Sequence, residues 1–144
     1  MRVTRKVFIN RDPDIVFDYL ASPTNEPLWR TSILRAVPDE SGVSAIGATG
    51  RSLIRFMGRD VDVRWEVVEF EPQARLCREY TSGVRGGRDR YMLQRFGMGA
   101  TVVELEVEVD AAGLMGLLTP SRRTSMEREL RTDLQRLKAI LEDR

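Results

Sequence analysis

An α+β fold is what this 144-residue sequence predicts: an antiparallel sheet of about seven strands packed on a long C-terminal helix, with two short helices after the first strand. Three observations carry the prediction. From residue 33 to residue 110 apolar residues recur with a period of two, broken by short Gly- and Pro-containing links, as in an antiparallel meander. Met126, Leu130, Leu134, Leu137 and Leu141 then recur at helical spacing, a narrow apolar stripe with Glu127, Arg128, Arg131, Asp133 and Arg136 on the other faces. Finally, a polar residue followed by proline opens a helix at Asp12-Pro13, Ser22-Pro23 and Thr119-Pro120, because proline at the first helical position lacks only an amide that would be unpaired anyway.

The elements follow in order. Lys6 to Asn10 reads as the first strand, and Val16, Phe17, Tyr19 and Leu20 give the next helix an apolar side. Pro27 interrupts the segment carrying Leu28 and Trp29, so only a broken helical turn is expected there. Strands are expected over 33–37, 51–57, 61–67, 76–81 and 88–96, and a last one over 103–109. In the 61–67 strand the odd positions, Val61, Val63, Trp65 and Val67, face inward. In the last strand Val103, Leu105, Val107 and Val109 do so, while Glu104, Glu106 and Glu108 face water. Between residues 76 and 96 the register is open. An even choice points Leu76, Arg78 and Tyr80 inward, an odd one buries Glu79 beside Cys77, and Tyr91 with Leu93 compete with Met92 and Phe96. The even set is preferred because it buries two large apolar bodies. No linker, repeat or low-complexity tract divides the chain, so residues 1–144 read as one domain, long enough to bury roughly 70% of its unfolded surface.

Composition excludes several function classes. The chain is 42% hydrophobic and 31% charged, with a net charge of +1 that leaves no basic footprint for nucleic acid. It has no histidine, which removes the commonest general base and metal ligand and every Ser-His or Cys-His nucleophile pair. One cysteine, Cys77, forms no intrachain disulfide and no cysteine-rich metal site. No metal and no cofactor are therefore expected. The 83–87 glycine-rich loop lies between strands without a lysine, so it is no phosphate cradle. No window is apolar enough to span a membrane, and no signal-peptide-like segment follows Arg5-Lys6; the expected compartment is the cytoplasm.

Three stretches of this sequence carry a resemblance: Val7-Phe8-Ile9 with Pro13 to Leu20 and Asn25 to Trp29; Trp65 to Pro72; and Gly113 to Pro120 leading into Leu134 to Glu142. Together they are similar to the START-like helix-grip superfamily (SRPBCC), in its polyketide cyclase/dehydrase and lipid-transport branch. The resemblance implies a curved sheet wrapped around the terminal helix and a cavity between them for an apolar or aromatic ligand. Members include cyclases, lipid carriers and sensors, so fold alone decides little about activity.

Candidate ligand contacts are Phe56, Trp65, Arg78, Tyr80, Tyr91, Leu105, Met115 and Met126. Trp65 and Tyr91 either wall a planar ligand or fill the core, and the methionines either adapt to a ligand or plug gaps. An inward Arg78 must find an acid, a carbonyl or a ligand anion, since guanidinium cannot shed its charge. Arg122 and Arg123 either rim the entrance or coat a solvated helix face, and the 111–120 segment and the 83–87 loop are candidate gates. The expected function is binding of a small hydrophobic or aromatic molecule as carrier or sensor. The alternatives are a cyclase or dehydrase working by substrate positioning, its catalytic residues unassigned, and an interaction module with a packed core. A homodimer through a strand edge or Trp29 is compatible with the sequence.

Overall fold

The computed structural model describes residues 1–42, 45–82, 86–110 and 119–144. Strand β1 (Arg2–Ile9) leads into α1 (Pro13–Ala21), a 3₁₀ turn (Pro23–Asn25) and the four-residue α2 (Glu26–Trp29). Six strands follow: β2 (Ile33–Pro38), β3 (Thr49–Phe56), β4 (Arg59–Glu71), β5 (Arg75–Ser82), β6 (Gly87–Arg95) and β7 (Thr101–Val109). The 23-residue α3 (Pro120–Glu142) completes the chain. The seven strands form one antiparallel sheet in the order β1-β7-β6-β5-β4-β3-β2.

Local chemistry explains the corners. Met57 and Gly58 link β3 to β4 with φ of 57° and 79°, the double left-handed conformation of a two-residue hairpin whose twist matches its strands. The register of β4 against β5 slips between Arg64 and Trp65 and again between Val67 and Glu69. Bulges of this kind bend a strand, and here they let the long β4 curl around the core. Gly50 on β3 lies under the Trp65 ring, so close that a Cβ there would sit 2.1 Å from a ring carbon. The same indole donates from Nε1 to Ser52 Oγ at 2.9 Å.

The helix starts behave unequally. Thr119 caps α3, its Oγ1 accepting from the Arg122 amide at 3.2 Å. Asp12 occupies the cap position of α1 but makes no capping bond; its carboxylate pairs instead with Arg95 at 2.8 Å. The Arg95 guanidinium accordingly holds the Asp12 carboxyl below the usual carboxylate range.

The core sits between α3 and the inner face of the sheet. Leu130, Leu134, Leu137 and Leu141 are buried, with Met126 packed at the margin, as the stripe predicts. The even register holds on β5, where Leu76, Arg78 and Tyr80 are buried, and Tyr91 and Leu93 are the buried pair on β6. Phe96 is exposed and Met92 half-buried. Two expectations need correction. Asp133, assigned from the stripe to a solvated face, is 0% exposed, because it faces charged partners across the core. Trp29, considered for a self-association surface, is likewise fully buried. The expected 111–118 gate and the tip of the 83–87 loop lie outside the described residues.

Candidate ligand-binding site

Two buried cations organise the interior. Arg78, pointed inward by β5, donates from Nη1 to Glu26 Oε1 at 3.0 Å and from Nη2 to the Leu20 and Ala21 carbonyls at 3.0 and 3.3 Å. Those carbonyls close α1, where the backbone dipole favours a cation. The guanidinium also lies 5.4 Å over the Trp65 ring. Burial pushes the Glu26 carboxyl up, against the pull of Arg78 and Arg30.

The second cation, Arg30, follows α2 directly. Its Nη1 donates to Asp89 Oδ2 and to the Tyr91 hydroxyl, both at 3.2 Å, and Tyr80 donates to the same Asp89 oxygen at 2.9 Å. Arg30 Nε faces Asp133 Oδ2 at 3.8 Å. The other Asp133 oxygen accepts from the Thr31 amide and hydroxyl at 3.1 and 2.5 Å, which ties α3 to the start of β2. Burial opposes the Arg30 charge, yet Asp89, Tyr91 and Tyr80 together hold its guanidinium well above its ordinary value. Burial also pushes the Tyr91 phenol up, so this network carries a fixed cation and a neutral Tyr91.

A cavity of about 260 Å³ opens beside this network, between the N-terminal half of α3 and the sheet. Ile33, Ile54, Phe56, Val107, Met126 and Leu130 supply its apolar wall. Arg30, Ser32, Tyr80, Ser125 and Glu129 bring polar groups to it, and the exposed Arg55 and Arg122 reach it from the outside. Burial and the nearby Asp133 push the half-buried Glu129 carboxyl up, while Arg30 draws it back. The arrangement sets an apolar wall beside a few polar groups, the usual division of labour in small-molecule sites.

Three of the residues singled out in the sequence, Phe56, Tyr80 and Met126, line this cavity together, and so does Arg122. Trp65, Tyr91, Leu105 and Arg78 are buried away from its wall, and Arg78 has taken an intramolecular acid. Met115 lies outside the described residues. Arg123 turns to Glu127 at 3.2 Å. Sequence reasoning passed over Arg30, Ser32, Glu129 and the acids Glu26 and Asp89. For Asp89 a signal existed, since it alternates in phase with the buried Tyr91 and Leu93. For Glu26 and Arg30 there was none, because their partners are 52 and 59 residues away. Among the described residues no group of His, Cys, Asp or Glu is arranged to hold a metal ion, and no helix is long and apolar enough to cross a membrane.

Comparison with known proteins places this geometry. The family model described as polyketide cyclase / dehydrase and lipid transport matches residues 1–142. No curated protein matches the sequence. Among solved structures, a START superfamily protein from Mycobacterium smegmatis superposes with a TM-score of 0.79 at 13% identity, covering 99% of this chain and 97% of that one. The Zhui aromatase/cyclase from Streptomyces sp. R1128 gives 0.72 at 18% identity, covering 99% and 93%. The Aha1 protein from Colwellia psychrerythraea, described as a dimer, gives 0.68 at 17% identity, covering 99% and 96%. At these identities the likeness is one of fold: the curled seven-strand sheet, the terminal helix and the two short helices form a START/helix-grip fold.

Proposed function

The chain belongs to the polyketide cyclase / dehydrase and lipid transport family, and from that membership we propose that it binds a small apolar or aromatic molecule in the cavity beside α3, as a carrier or sensor. The observation that carries this reading is the cavity itself. Its volume of about 260 Å³ approaches the lower end of ligand pockets, roughly 300–1,000 Å³, and suits a compact body of one or two rings. Eight apolar side chains line it, so affinity comes chiefly from buried apolar area, roughly 25 cal/mol per Å² before ordering costs. Arg30, Tyr80 and Ser32 orient the ligand's polar end.

A cyclase or dehydrase acting through substrate positioning ranks second, because Asp89 and Asp133, the fully buried acids beside Arg30, are engaged by that cation and by Tyr80 and Thr31. A packed-core interaction module ranks third, since a void of this size is not a packed core. The test is native mass spectrometry of gently purified protein, with denaturing release of bound molecules, followed by thermal shift against one- and two-ring aromatic compounds. The expected result is a stoichiometric extra mass lost on denaturation, or a melting temperature raised by at least one compound class. A clean mass together with a flat panel refutes the reading.

A further inference from the structure

One group in the cavity is unaccounted for by the ion pairs around it. Glu129 lies on α3 one turn before Asp133 and lines the cavity with Met126, Leu130 and Phe56. Among the described residues it has no hydrogen-bond or ion-pair partner. The nearest buried cation is already committed: Arg30 gives Nη1 to Asp89 and Tyr91 and turns Nε to Asp133.

On the cavity reading given above, we propose that Glu129 is a specificity-determining residue that binds ligand as a neutral acid, donating a hydrogen bond to an uncharged acceptor oxygen such as a ketone or ester. A carboxyl on an apolar wall without a cation of its own is driven toward its protonated form, in which it becomes a donor. The other charged and titratable groups at the cavity agree with this. Asp133 on the same helix repels a negative Glu129, and Tyr80 from β5 is bound to Asp89. Arg55 from β3 pairs with Asp60 at 3.1 Å, Arg122 is exposed two turns earlier on the same face of α3 and makes no ion pair with Glu129, and the Met1 ammonium donates to Val109 O at 2.9 Å. The raised Glu129 pKa is consistent with the same state. A ligand carboxylate, by contrast, would enter beside Asp89, Asp133 and Glu129, all gathered about the buried Arg30 guanidinium. The ligand class is therefore a one- or two-ring body carrying a neutral carbonyl, selected against its acid analogue.

Three naphthalene probes of similar size test this: naphthalene, 2-acetylnaphthalene and 2-naphthoate, titrated by calorimetry into wild-type protein, Glu129→Gln and Glu129→Ala. The wild type should prefer the ketone to the carboxylate. Its affinity for the ketone should fall about three- to tenfold, the worth of one hydrogen bond, as rising pH takes the proton from Glu129. In Glu129→Gln the amide donates at every pH, so ketone binding should be strong and flat. In Glu129→Ala the ketone should lose its advantage while naphthalene still binds. Ketone affinity that is pH-independent in the wild type, or that falls equally in Glu129→Gln, overturns the assignment. If naphthalene binds but the ketone gains nothing over it, only the role of Glu129 is lost; if no probe binds, the cavity reading falls with it.

Discussion

Replacing Arg78 by methionine removes a buried cation while keeping most of the side-chain volume, and the structure gives the size of the effect. Arg78 and Glu26 are 2% and 3% exposed, so the substitution strands a carboxylate where water cannot reach it. Breaking such a pair from one side costs about 3–5 kcal/mol. The Leu20 and Ala21 carbonyls lose a donor as well, and the contact with the Trp65 face is lost. Glu26 can escape by binding a proton, since burial already raises its pKa and losing Arg78 raises it further. A carboxyl with a raised folded pKa contributes stability at low pH that is lost as pH climbs through that value, so the deficit of Arg78→Met should widen from acid to neutral pH. The double variant Arg78→Met/Glu26→Gln carries no stranded charge and should recover about half of the loss or more. Urea unfolding followed by tryptophan fluorescence measures all three proteins. A single variant within about 1 kcal/mol of wild type, or a double variant no better than the single, refutes the reasoning. Naphthalene affinity should be unchanged in Arg78→Met wherever the protein is folded, because Arg78 is not on the cavity wall.

Other expectations follow from single contacts. Gly50→Ala forces a methyl into the Trp65 ring and should cost about 1–3 kcal/mol by overpacking, read as a lower Tm. Asp133→Asn keeps an acceptor for Thr31 but deprives Arg30 of one of its two carboxylates; with Asp89 still in place the loss should be about 2–3 kcal/mol by calorimetry. Cys77 is fully buried and burial pushes its thiol up to about 11, so a disulfide reagent at about pH 8 should react only as fast as the protein opens. Prompt labelling of the native protein would contradict the assigned burial.

The architecture was legible because it rests on local periodicities: alternation set each strand's inner face, and the leucine spacing set the helix stripe. Arg78 was legible as a buried charge for the same reason. Its partner was not, since nothing in a helical turn holding Glu26 announces a strand residue 52 positions later. Asp133 misled because apolar periodicity assigns every charge to the wet side of a helix, whereas Arg30 and Thr31 solvate this one inside. Glu129 could be read only after the fold had brought α3 beside β2 and β3 and left a gap there. Phe56, Tyr80 and Met126 could be named in advance, but not that they would meet in one wall.

The strand order has a consequence for biosynthesis. Strand β1 precedes the other six strands in the chain, yet among the described residues its one neighbour in the sheet is β7, with Val3 paired to Val107 and Val7 to Val103. Strands β2 to β6 can zip hairpin by hairpin as they leave the ribosome, each beside the strand made just before it. The opening segment has no such partner until about a hundred further residues have been added, and no helix to cover Ile9 until α3 emerges later still. Throughout that interval a β-prone stretch, Val3 to Ile9, waits without its strand partner in the nascent chain. Closure of the sheet is thus a late event that joins its first strand to its last, and truncation before Val109 should leave the growing protein protease-sensitive in β1.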